Sequence, residues 1–249
     1  QHWSGDLRGM KINSIDVNTG VISTTMKWSA AAKLDAAVQG GGWDTGRNIV
    51  TLAPTGSGVL VGVPFRLASL SSSQKSSLGS TSTDQTNVLN YLRGDTSMQS
   101  TLSIRNAFRY RESVLGDIVD SGAIFVGGPS EVYADAYNPG YSAFKSAKAG
   151  RTPVVYVGAN DGMLHAFNAR VDSDDGGKEL FALVPNAVFK GPDNQPSTSG
   201  LRALADNGYL HHYYVNATPF VRDVDFKRAG GSISTTPSDV DWRTLLVVG

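Results

Sequence analysis

The sequence predicts a mainly all-β fold, an incomplete modified β-propeller with short helical insertions, and three observations lead there. The first is the stretch Pro153 to Asn168, where two apolar runs, Val154 to Val157 and Met163 to Phe167, flank Gly158-Ala-Asn-Asp-Gly162. β-Branched and aromatic residues favour a pleated strand, and Asn, Asp and Gly tolerate positive φ where a chain reverses, so the stretch reads as a β-hairpin. A lone hairpin is marginal in water and must join a larger sheet. The second is repetition. Ala123-Ile-Phe-Val-Gly127 and Thr244-Leu-Leu-Val-Val-Gly249 each restate an apolar strand ending on Gly, and a degenerate sheet unit restated with insertions is how a propeller sequence looks. The third is composition: 28 Gly with abundant Ser and Thr favour an extracytoplasmic β protein over a helical one.

Length and charge bound the function classes. At 249 residues the chain can bury one large core, and all-β folds of this size often stay undivided, so residues 1–249 are expected to form part of a single β-propeller domain. Lys+Arg 22 equals Asp+Glu 22, which leaves no net field to draw the chain to nucleic acid or an anionic membrane. The absence of Cys removes disulfides, thiol catalysis and thiolate metal sites together. No apolar run approaches the roughly 20 residues of a membrane span. Because the chain opens and stops in strand-like runs, it is expected to be a piece of a longer polypeptide.

The elements follow in order. Gly5 to Ile12 and Val21 to Trp28 pair across Asp16-Val-Asn-Thr-Gly20, whose Asn, Thr and Gly are turn residues. Ser29 caps a helix over Ala30 to Val38, a run of strong helix formers that Gly40-Gly-Gly42 ends. Arg47 to Ala53 and Val59 to Phe65 return to strand. Three insertions then break the β rhythm, near 67–105, 140–150 and 186–210. In the first, a polar Ser/Thr/Gln-rich piece precedes a helix with Ser82 and Gln85 at capping-box spacing, Val88, Tyr91 and Leu92 on one face, and Gly94 as its stop. The second holds a helix over Tyr141 to Ala149, and the third a single helical turn at Leu201 to Ala205.

The order of these blocks is itself recognisable. Asn90-Tyr-Leu-Arg-Gly-Asp95, Ser113-Val-Leu-Gly-Asp-Ile-Val-Asp120, Val154 to Phe167, Glu179-Leu-Phe-Ala-Leu-Val-Pro185 and Trp242-Arg-Thr-Leu-Leu-Val247 together resemble the PilC/PilY family of type IV pilus tip and biogenesis proteins. The resemblance is strongest from about Asn87 to Pro185. It implies a modified β-propeller without enzymatic activity. It further implies an extracellular location at the pilus tip or outer-membrane surface, and roles in countering retraction, in twitching motility and in adhesion. Implied partners are minor pilins or the pilus tip on one side and a host receptor or abiotic surface on the other. Calcium is implied for the intact protein, with no cofactor in this stretch. The nearest acidic run, Asp172-Ser-Asp-Asp-Gly-Gly177, lacks the later ligand positions and the twelfth-position Glu of a calcium loop, and reads as an exposed turn. Asp16 to Gly20 is weaker still.

Candidate site residues each have a structural reading beside the functional one. Arg93-Gly94-Asp95 is either a helix end, with Gly94 left-handed, or a receptor-binding tripeptide of the kind integrins read, which requires Asp95 to be exposed. The hairpin also resembles blades of quinone-dependent dehydrogenases, and an alternative function is a quinoprotein-like oxidoreductase; a blade alone implies no cofactor, since fold and site are separable. A periplasmic outer-membrane assembly scaffold of the same blade type is a third reading. Trp3, Trp28, Trp43 and Trp242 read as core or docking residues. His165 reads as a hydrogen-bonded structural histidine, and His211 and His212, adjacent on a strand, point to opposite faces and do not share a metal. Asp117 and Asp120 form either a carboxylate pair or, as the family-like segment favours, residues that fix backbone turns at a strand end. Arg105, Arg109 and Arg111 with Phe108 and Tyr110 form packing and salt bridges or dock an acidic partner.

Overall fold

The computed structural model describes residues 3–228 and 239–249. It opens on an antiparallel ribbon of β1 (Arg8–Ile15) and β2 (Ile22–Ser29), whose turn is fixed by the Asp16 carboxylate accepting the N–H groups of Asn18 and Thr19 at 2.9 and 3.0 Å. Ser29 caps α1 (Ala30–Val38), its hydroxyl accepting the Ala32 N–H at 3.1 Å. Leu34 and Val38 turn inward from that helix. A one-turn α2 (Gly42–Thr45) follows, and then the hairpin of β3 (Ile49–Pro54) and β4 (Leu60–Pro64).

Two helices come next, α3 (Ser72–Leu78) and α4 (Ser82–Arg93). The short strand β5 (Ile124–Val126) and α5 (Tyr141–Lys148) precede β6 (Val154–Ala159), β7 (Met163–Asn168) and β8 (Glu179–Val184). The expected helical turn at Leu201–Ala205 is a 3₁₀ turn. β9 (Phe220–Asp225) and β10 (Trp242–Val247) close the described chain as a second antiparallel ribbon.

The central sheet runs β4-β3-β8-β7-β6-β5. Within it β5, β6, β7 and β8 are four consecutive antiparallel strands, the unit a propeller blade is made of. The β3–β4 hairpin is added through a parallel pairing of Ile49, Val50 and Thr51 with Ala182, Leu183 and Val184. The first Val-Gly repeat therefore supplies the outer strand of the same blade as the hairpin, and only the last repeat, in β10, starts a separate ribbon. The fold is mainly β, with one sheet containing a blade-like four-stranded unit and two separate ribbons among the described residues, as in part of a propeller.

All six residues of β7 are buried, because helices and loops cover both faces of the sheet. Tyr156 packs against a cluster built from α3, α4 and the 3₁₀ turns, including Phe65, Leu78, Val88, Tyr91 and Phe189. Val157 and Ala159 pack against a second cluster of Trp28, Leu34, Leu115 and Phe167. That alternation is the period of a strand buried on both sides. The turn between β6 and β7 holds Gly162 at φ +90°, where a Cβ would stand 2.5 Å from Leu201 Cδ2. Gly is thus required there for both backbone and space.

Three expectations need correction. The polar piece after Leu67 contains α3, closed by a capping box in which the Ser71 hydroxyl accepts the Gln74 N–H and Gln74 Oε1 accepts the Ser71 N–H at 3.0 Å. The cap of α4 is Thr81 and not Ser82: its hydroxyl accepts the Asp84 N–H at 3.2 Å, while Gln85 donates to the Gly79 carbonyl. His211 and His212 lie outside any strand, so the strand alternation expected of them does not apply.

Candidate binding cleft

The blade is pinned from within by a chain of buried charges. Asp161, in the β6–β7 turn, accepts the N–H groups of Gly116 at 2.9 Å and Met163 at 3.1 Å. His165, fully buried in β7, sets Nε2 3.1 Å from Asp161 Oδ2 and Nδ1 2.8 Å from Glu179 Oε1. Glu179 in turn accepts Arg47 Nε and Nη2, both at 2.7 Å, and Arg47 Nη1 donates to the Arg93 carbonyl at 2.7 Å. Two cations face two carboxylates, so the cluster is neutral when all four are charged.

Burial alone would drive the His165 imidazolium to release its proton, but the charges and hydrogen bonds of Asp161 and Glu179 outweigh it and push the group up to about 9. Against the same cost of burial, Arg47 and His165 hold Glu179 far below the usual carboxylate range. His165 and Arg47, with the Gly116 N–H, do the same for Asp161. The network joins the segment before β3, the end of α4, the β6–β7 turn and two strands of the blade, β7 and β8. The side chains of Arg47, His165 and Glu179 are buried and that of Asp161 is partly exposed, and the four charges are matched by one another.

A polar ladder leads from this turn outward. Asn160 Nδ2 donates to Asp117 Oδ2 at 2.8 Å, its Oδ1 accepts the Tyr214 N–H at 3.0 Å, and His211 Nε2 lies 2.8 Å from the same Asp117 oxygen. The ring of His211 meets that of Trp3 at 4.1 Å. These two rings form one wall of an open cleft of about 620 Å³, within the ~300–1,000 Å³ usual for ligand sites. The other walls are the 100–105 loop, Arg109 and the segment Asn207 to Leu210.

The loop is held in place before any ligand arrives. The Ser100 N–H donates to the Phe108 carbonyl at 2.7 Å and the Thr101 N–H to that of Ile104 at 2.8 Å. Ser100 Oγ bonds Asn207 Oδ1 at 2.9 Å, and Asn207 Nδ2 donates to the Asn106 carbonyl at 2.8 Å. Arg109 is half-buried and engaged: its Nε donates to the Leu204 carbonyl at 2.6 Å and its guanidinium stacks 4.4 Å from the Tyr209 ring centre. Arg111 likewise lies 3.6 Å over Tyr91. Arg105 differs from both, being exposed and making no ion pair among the described residues. Of the three arginines, two are therefore packing and one faces solvent.

The other sequence-predicted residues are placed as follows. Arg93 is 1 % exposed, with its guanidinium donating to the carbonyls of Phe65, Trp43 and Asp44 at 3.0, 3.1 and 2.9 Å. Gly94 is the left-handed cap of α4 at φ +118°. Asp95, half-buried, accepts the Ser97 N–H at 2.8 Å. The tripeptide is thus the end of a helix whose arginine points into the fold, with only Asp95 reaching the surface. In the acidic run, Lys27 lies 3.6 Å from Asp172 and Lys178 2.7 Å from Asp175. Its glycines pack on Trp28. Among the described residues no three acidic or histidine side chains converge as a metal site, and the two end carboxylates of the run each face a lysine.

Asp117 and Asp120 hold loops through His211 and Asn216. Trp28 is core, Trp43 packs beside it, and Trp242 donates to the Pro139 carbonyl at 2.9 Å within a cluster with Tyr133, Tyr141 and Phe144. His2 lies outside the described residues. Sequence reasoning passed over Leu102, Ile104 and Leu210, whose signal was three aliphatic residues set in otherwise polar loops.

Residues 115–233, which contain the hairpin, β8 and the far wall of the cleft, match the family described as the PilY1 beta-propeller domain. This part of the chain belongs to the PilY1 β-propeller family. Similarity to PilY1-type proteins extends further than that segment. The chain is 32 % identical over 260 residues, 99 % of its own length, to a Type IV pilus biogenesis factor PilY1 of Pseudomonas aeruginosa strain UCBPP-PA14. It is 34 % identical over 259 residues to the protein of that name from strain PAK. A PilY1 homolog of Xylella fastidiosa is 38 % identical over 64 % of the chain. The chain spans 19 % of the length of the two Pseudomonas relatives and 11 % of the Xylella one. No solved structure matches the chain. Of the residues described above, Glu179, His165, Asp161 and His211 fall within the matched segment, and the Trp3–His211 cleft is linked to the β6–β7 turn through Asp117 and Asn160.

Proposed function

We propose that this chain is part of a type IV pilus biogenesis factor and works there by binding and not by catalysis. The observation that carries the reading is similarity across 99 % of the chain to proteins named for that role. The cleft adds to it, because preformed rim loops on a rigid sheet are the usual place for recognition in propellers. In this reading the protein acts outside the cell, at the pilus tip or the outer-membrane surface. It engages minor pilins or the tip on one side and a host or abiotic surface on the other, and so opposes retraction and supports twitching and adhesion. Calcium belongs to the intact polypeptide and not to Asp172–Gly177.

The test is a strain lacking the gene, with surface pili counted in retraction-competent and retraction-deficient backgrounds. Pili are expected to be lost in the first and largely restored in the second. Unchanged pili in the retraction-competent strain would refute the reading.

A further inference from the structure

The cleft has a chemistry that selects its ligand. Among the described residues its lining includes two arginines and a histidine and no acidic side chain. The nearest carboxylate behind His211, that of Asp117, is already engaged by His211 and Asn160. Of the two arginines, Arg109 is committed to the Leu204 carbonyl and the Tyr209 ring, which leaves Arg105 as the cation at the mouth. Around it stand three aliphatic side chains that a solvated loop has no reason to display: Leu102 at 76 %, Ile104 at 68 % and Leu210 at 76 % exposure. Single exposed apolar residues are ordinary. Three converging on one preformed cleft beside an exposed arginine that makes no ion pair among the described residues mark a contact surface.

We infer that this cleft binds an extended acidic peptide segment of a partner protein, with a carboxylate on Arg105 and alternating aliphatic side chains on Leu102, Ile104 and Leu210. Charge complementarity fixes the sign of the ligand, and Arg is suited to a carboxylate because its planar fork can donate two parallel hydrogen bonds. An anionic sugar fits less well. Sugars stack on open aromatic faces, whereas of the three aromatic rings lining the cleft, Trp3, Tyr110 and Tyr209, Trp3 already meets His211 and Tyr209 already meets Arg109. The aliphatic side chains match those of a peptide, and a strand's period of two puts every second side chain on the same side. The 100–105 loop is pinned by its own hydrogen bonds, so little ordering is needed on binding. The inference names the ligand of the rim in the function proposed above, and rests on that reading only for the partner's place at the pilus.

The experiment measures the purified protein against an array of immobilised eight-residue peptides in matched sets: acidic with Leu or Ile alternating, basic with the same aliphatics, and acidic with Ser in their place. The acidic-aliphatic set is expected to retain the protein at least tenfold better than either other set, with retention falling as NaCl rises. Arg105→Glu is expected to reduce retention at least tenfold, and Leu102→Ser with Ile104→Ser to do the same. All three positions are exposed, and unchanged thermal melting of the variants confirms that folding is intact. Equal retention of the basic set, no preference for aliphatic over Ser peptides, indifference to Arg105→Glu, or full displacement by a sulfated disaccharide would each overturn the inference. Because the assay is read on purified protein, its failure leaves the pilus count untouched, and an unchanged pilus count leaves peptide binding untouched.

Discussion

His165 keeps its proton in the interior because two carboxylates reach it and one of them is itself held by Arg47. A pKa raised from 6.5 to about 9 on folding means the folded state binds that proton more tightly than the unfolded chain. Its stabilising contribution is therefore complete below the unfolded value and is lost as pH rises through about 9. The depressed carboxylates of Asp161 and Glu179 act in the opposite sense. Their contribution is present above the ordinary carboxylate range and is lost as pH falls through their folded values. Stability measured by urea unfolding is thus expected to decline on the alkaline side between about pH 6.5 and 9. His165→Gln is expected to lower stability at pH 6 by about 3–5 kcal/mol, since it leaves Asp161 without the cation that faces it while Glu179 keeps Arg47, and to flatten that alkaline decline. A variant that keeps the wild-type alkaline slope would remove His165 from this role. The sequence marked His165 as a structural histidine through its apolar neighbours. It could not mark Arg47 or Glu179 as partners, because 132 residues separate them and nothing local to either position records what it will face.

At the scale of elements, what was legible followed local rules. The hairpin of β6 and β7, the ribbon of β1 and β2, α1 with its Ser29 cap and the Gly94 stop of α4 all rest on contacts within a few residues of one another. α3 was missed because Ser72-Ser-Gln-Lys-Ser-Ser-Leu78 offers a single aliphatic residue to a periodicity search, although its capping box from Ser71 to Gln74 was present in the chain. The cap of α4 was displaced by one residue because Thr81 and Ser82 are both capping types, and only the backbone decides which stays extended. Thr81→Ala is therefore expected to cost about 1 kcal/mol and Ser82→Ala less than about 0.5 kcal/mol, as read from midpoint shifts in urea at a constant slope. Equal losses at both positions would place the cap differently. The parallel pairing of β3 with β8 lay beyond local reading altogether, since neither strand carries a mark of the other.

For the whole molecule, a four-stranded blade extended by a hairpin supplies the rigid part, and long loops returning to its edge build the cleft. The order of the sequence blocks made the family legible, since that order survives where single motifs are weak. The cleft was less so. Arg105, Arg109 and Arg111 look alike in the chain, and only packing on Tyr209 and Tyr91 separates the two engaged ones from the exposed one. The central claim is that this propeller segment serves pilus biogenesis through what its rim binds. It is tested most directly by counting surface pili in a strain whose only change is Arg105→Glu with Leu102→Ser and Ile104→Ser, beside the same strain blocked in retraction. The expected result is fewer pili than wild type in the retraction-competent strain and wild-type numbers in the blocked one. Wild-type numbers in both, with the variant protein folded and exported at normal levels, would contradict it.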